Sequence, residues 1–132
     1  MPHDLRINIV ILTCAVSAGI HGALVEEHFH EGTGAGVGFV VATVLLAAVV
    51  IALTRRPSRL PVVGAAAISL GLIASYGLAI TTGVPVLHPD VEAVDGLALV
   101  TKAVEALGAV AAVSLMRRKS FAPLPQPKGT PA

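Results

Sequence analysis

The chain has no tryptophan, one tyrosine, three phenylalanines and a single cysteine among its 132 residues, and only 13% of it is charged. Each shortage excludes something. A lone cysteine, Cys14, forbids an internal disulfide, a CxxC redox pair and a thiolate zinc site. The charge content is about half that of an ordinary soluble domain. A net charge of +1 supplies no basic surface for nucleic acid. No serine sits in a nucleophile elbow, no glycine-rich loop follows a strand-like run, and five histidines are too few for a membrane di-iron oxidase, so no catalytic constellation stands out. What remains is aliphatic: hydrophobic residues make up 55% of the chain, chiefly Ala, Val, Leu and Ile. The mean hydropathy is +0.83. That balance excludes a disordered chain and points to a membrane.

A membrane-spanning helix needs about 20 mostly apolar residues. Four stretches qualify: Ile7 to Val25, Gly36 to Leu53, Pro61 to Thr82 and Ala93 to Met116. They are too long and too rich in Ala and Leu for strands, and they lack the strict alternation of a transmembrane barrel. The expected fold is therefore all-α, a compact bundle of four transmembrane helices over residues 1–120. A proline-rich cytoplasmic tail follows from Phe121 to Ala132. A lipobox ending at Cys14 and a signal-peptide cleavage near Val16-Ser17-Ala18 are weighed as competitors. Thr13 before the cysteine and Asp4 in the leading segment argue against them.

Orientation follows from the basic residues. Arg6, Arg55, Arg56, Arg59, Arg117, Arg118 and Lys119 fall on one side of a four-span chain, whereas the loops 26–35 and 83–92 hold neither Lys nor Arg. The positive side is cytoplasmic, so both termini lie inside and the location expected is the plasma membrane. Small residues at four-residue spacing give the helices a means of close approach: Ala15, Gly19 and Ala23 in the first, Ala67, Gly71, Ser75 and Ala79 in the third, Gly108 and Ala112 in the fourth. Such stripes serve either the internal packing of the bundle or a homo-oligomer or larger membrane complex.

Four of the five histidines and seven of the eight acids lie in the outer loops or spans. If the first helix continues to Glu31, His21 and His28 are about 20° apart around its axis and Glu31 is about 60° further round. Imidazoles and a carboxylate on one stripe suit zinc, copper or another divalent ion. His88, in the second outer loop, faces the same compartment and completes a candidate ligand set of His21, His28, Glu31 and His88. The plainer alternatives are that the acids are solvated at the membrane surface, that Asp90 caps the last helix, and that Glu92 complements its positive end. Gly32-Thr33-Gly34-Ala35-Gly36 reads as a turn.

Asp95, Lys102 and Glu105 repeat the spacing of seven and three, with Asp95 as an outer-side acid and the other two near mid-membrane. A charge at mid-span costs about 2.5–3.5 kcal/mol, so Lys102 and Glu105 should pair and face the bundle. Such a pair serves either a functional site, as an internal gate, or a polar lock between helices.

The stretch His21-Gly22-Ala23-Leu24-Val25-Glu26-Glu27-His28 resembles small four-helix membrane proteins of high-GC actinobacteria. The resemblance implies four spans and a His/Glu cluster, and that group has no assigned activity. Two functions stand side by side on these residues. One is a small membrane protein that binds or relays a divalent metal ion or proton at its outer face. The other is a non-catalytic accessory subunit of a larger membrane complex.

Overall fold

The computed structural model describes residues 2–87 and 89–117, and its architecture is helical throughout. It comprises α1 (Pro2–Ala23), α2 (Val25–Glu31), α3 (Thr33–Arg55), α4 (Arg59–Ala79) and α5 (Gly96–Met116). Four of these, α1 over Leu5–Ala23 and the whole of α3, α4 and α5, are long and apolar enough to cross a membrane. The proline-rich tail expected from Phe121 lies outside the described residues, as does His88.

The breaks between helices have local causes. At Leu24 the amide hydrogen is shared between the Ile20 and His21 carbonyls at 3.2 Å each, which interrupts the ladder and starts α2 as a separate short helix. The first helix therefore stops two residues short of the expected Val25. α3 ends at Arg55 because Arg56 precedes Pro57 and adopts the extended backbone that proline imposes on its predecessor (φ −147°, ψ 91°). After α4 the chain turns through Gly83 at φ 73°, a left-handed conformation that glycine adopts without steric cost. The last helix begins at Gly96 rather than Ala93. Its cap is Asp95, which accepts a 2.8 Å bond from the Ala98 amide, so Asp90 does not cap it.

The run Gly32 to Gly36 is not a turn. Only Gly32 leaves the helical conformation, and α3 starts at Thr33. Its glycines serve close packing instead. A Cβ at Gly34 would fall 2.5 Å from the Val86 carbonyl oxygen, and one at Gly36 would enter the Phe29 ring. Glycine here lets α3 meet both α2 and the segment 84–95.

Successive long helices reverse direction, and α1 packs against α3 and α5 while α4 packs against the same two. The result is an up-and-down four-helix arrangement with α2 lying against α3. Its apolar core occupies the end where α1 begins and α5 finishes: Val10, Cys14, Leu46, Leu53, Val62 and Leu115 are all at most 2% exposed. Of the three small-residue stripes, Gly108 and Ala112 pack internally. Gly108 meets Thr13 of α1 so closely that a Cβ would clash with the threonine hydroxyl. Ala15, Gly19 and Ala23, and Ala67 and Gly71, are exposed, whereas Ser75 lines a cavity at the other end of the bundle and Ala79 is buried.

Candidate functional site

At the opposite end the bundle opens. The polar residues there form two tiers joined by one cavity of about 620 Å³.

The lower tier is a buried network between α1 and α5. The Glu105 carboxylate, 1% exposed, accepts a hydrogen bond from the Ser17 hydroxyl on Oε1 at 2.8 Å and one from the Lys102 ammonium on Oε2 at 2.6 Å. Lys102 also reaches the Leu72 carbonyl on α4 at 3.5 Å and lies 5.6 Å from the centre of the Tyr76 ring. One charged pair thus touches three helices. The position of Glu105 three residues after Lys102 puts both on one helical face, and Ser17 supplies the second carboxylate oxygen with a donor, so both oxygens are satisfied.

His21 belongs to this tier. Its Nδ1 lies 2.9 Å from the Ser17 carbonyl, which only accepts, so Nδ1 carries a proton and donates there. That Nε2 is 3.9 Å from Glu105 Oε1. His21 is buried, with its ring tilted against Phe39 at 5.0 Å between centroids.

The upper tier is His28, Glu31 and Glu92. His28 stacks on the same Phe39, with ring centroids 3.5 Å apart. Its Nδ1 donates to the Leu24 carbonyl at 2.9 Å, leaving Nε2 free as an acceptor, 3.7 Å from Glu31 Oε2. A second segment delivers Glu92. The Glu92 amide donates to the Ala79 carbonyl at 2.9 Å, which fastens this part of the chain to the end of α4. One potential ligand atom from each of His28, Glu31 and Glu92 lies within 4.8 Å of the other two. A tetrahedral ion with bonds of about 2.1 Å requires its ligands about 3.4 Å apart, a contraction within reach of two glutamate side chains.

The expected ligand set is therefore split. The structure brings His28 and Glu31 together, places His21 a tier lower beside Glu105, and leaves His88 outside the described residues. Asp95 lines the cavity with Lys102 but serves as the cap of α5, not as a third helical charge beside Lys102 and Glu105. Glu92 was expected in the same compartment as the first cluster but not among its ligands, since complementing the positive end of the last helix was the plainer role for it. The signal for it was indirect: the cluster depends on the 84–95 segment folding back onto α4, which no local pattern announces. Ser17 was missed as well, although it lies four residues before His21 on the same face.

Comparison with protein-family models, curated proteins and solved structures finds no match for this chain.

Proposed function

We propose that this chain is a four-span integral protein of the plasma membrane, with both termini in the cytoplasm, that binds a divalent metal ion at its outer face through His28, Glu31 and Glu92. The observation that carries the reading is the convergence of an imidazole and two carboxylates from separate segments to within 4.8 Å. Two features support it. The His28 tautomer is fixed by its bond to the Leu24 carbonyl, the outer-sphere arrangement by which a histidine offers Nε2 to a metal. Three protein ligands also leave a coordination position open for water or a further ligand, and imidazole with carboxylates suits zinc or copper. The orientation rests on Arg6, Arg55, Arg56, Arg59 and Arg117 lying at the helix ends remote from this cluster.

The same geometry favours binding and release at one face over passage through the bundle. Beyond the Glu105 network the core turns apolar, with Val10, Leu46 and Leu115 closing the interior. A proton exchanged between the cavity and the His21–Glu105 pair has no polar continuation along those residues.

Zinc titration of the purified full chain tests the reading, with bound metal measured by elemental analysis. One equivalent is expected, weakened by about 100-fold or more in His28→Ala, since even outer-sphere losses cost 10–100-fold. His30→Ala should bind as the parent does. Absence of stoichiometric metal, or an unaffected His28→Ala, would overturn it. A second reading, an accessory subunit within a larger membrane complex, is favoured by the outward small-residue faces at Ala15 and Gly19 and at Ala67 and Gly71. Stoichiometric co-purification of a larger membrane protein would support it.

A further inference from the structure

The cavity is much larger than a metal ion requires. Its volume of about 620 Å³ falls in the middle of the range that encloses small organic molecules. We infer that this chamber binds a lipophilic organic cation, a site separate in its apolar walls from the metal cluster at its mouth.

Three observations set that chemistry. The first is the charge of the lining. Glu27, Glu31, Glu92 and Asp95 contribute carboxylates, while the one lysine on the wall, Lys102, is held by Glu105 at 2.6 Å. The charged side chains of the lining are thus four acids and one lysine already held by an acid, a composition that favours a cation over an anion. This preference strengthens as the local dielectric falls. The second is the walls, where Leu24, Leu72 and Leu97 offer apolar surface and Phe39 and Tyr76 offer ring faces to a cationic body. The third is space that the chain leaves open. Gly38 lines the chamber, and a Cβ built there meets nothing within 4 Å.

Glu31 and Glu92 serve both readings, so the organic-cation titrations are run without added metal, and the experiment separates the two. The full chain in lipid nanodiscs is titrated with tetraphenylphosphonium and, separately, with tetraphenylborate, an anion of the same shape, each corrected against empty nanodiscs. Saturable binding of one tetraphenylphosphonium per chain is expected, with tetraphenylborate at least about tenfold weaker, the effect of roughly one close charge interaction. Gly38→Leu on α3 and Ser75→Leu on α4 add side-chain volume to two helices of the lining, and each should weaken tetraphenylphosphonium by about tenfold or more. Neither touches His28, Glu31 or Glu92, so zinc binding serves as the check that the variants are folded. Equal binding of cation and anion would reduce the chamber to a generic apolar gap and overturn the inference. So would the absence of saturable cation binding, or parental affinity in both filled variants. Loss of the organic cation with zinc retained supports the chamber, and loss of zinc in His28→Ala with the organic cation retained leaves it standing.

Discussion

Glu105 is the residue on which the polar interior turns, because burial at 1% exposure makes its ionised form tolerable only with both oxygens occupied. Ser17 and Lys102 occupy them. Removing one partner is therefore worse than removing the pair. Lys102→Met strands a buried carboxylate and should lower stability by about 3–5 kcal/mol, whereas Lys102→Met combined with Glu105→Leu should recover most of that loss. Thermal unfolding in one detergent, compared across the single and double variants, measures the difference. Additive losses would show that the two side chains do not share one interaction. Lys102 and Glu105 were legible as a pair from sequence, since three residues separate them on one helix and a lone charge at that depth is costly. Ser17 was not, because a serine in an apolar helix ordinarily bonds its own backbone and nothing local marks an exception.

At the scale of elements, the upper cluster depends on how closely α3 meets the segment 84–95. Gly34 permits that approach, and a side chain there would collide with the Val86 and Leu87 backbone. Gly34→Ala should displace the segment and with it Glu92, lowering zinc affinity by about tenfold while leaving the bundle folded. Gly38→Ala, four residues on in open space, should leave zinc affinity unchanged. Calorimetric zinc titration of both variants checks the contrast, and equal affinities would show that the segment is not held by this contact. A second contact carries the α1–α5 interface. Gly108→Val would drive a branched side chain into Thr13 and should cost about 1–3 kcal/mol of thermal stability, a loss that Thr13→Ala partly restores. The four long helices were readable because apolar length alone specifies them. The glycine run that opens α3 misled, since a turn and a tight helix–helix contact both call for glycine and only the neighbouring segment tells them apart.

For the whole molecule, the reversals of the chain place the basic helix ends at one pole and the chamber at the other. The charge asymmetry was visible in the sequence because it depends only on which loops hold arginine. The chamber was not, because it arises where five helices and the segment 84–95 fail to close. The proposed orientation makes a direct forecast in a Cys14→Ser background. A membrane-impermeant maleimide applied to intact cells should label Val86→Cys, at a position 94% exposed, and should label Ser58→Cys only after lysis. The reverse pattern would invert the topology.

The central claim is that His28 anchors a metal at the mouth of this chamber. X-ray absorption at the zinc edge, recorded on the zinc-titrated full chain and on His28→Ala, tests it most directly. The account predicts a first shell of nitrogen and oxygen at about 2.0–2.2 Å, with imidazole scattering in the parent that is lost in the variant. A parental spectrum without imidazole, or an imidazole shell that survives His28→Ala unchanged, would contradict it.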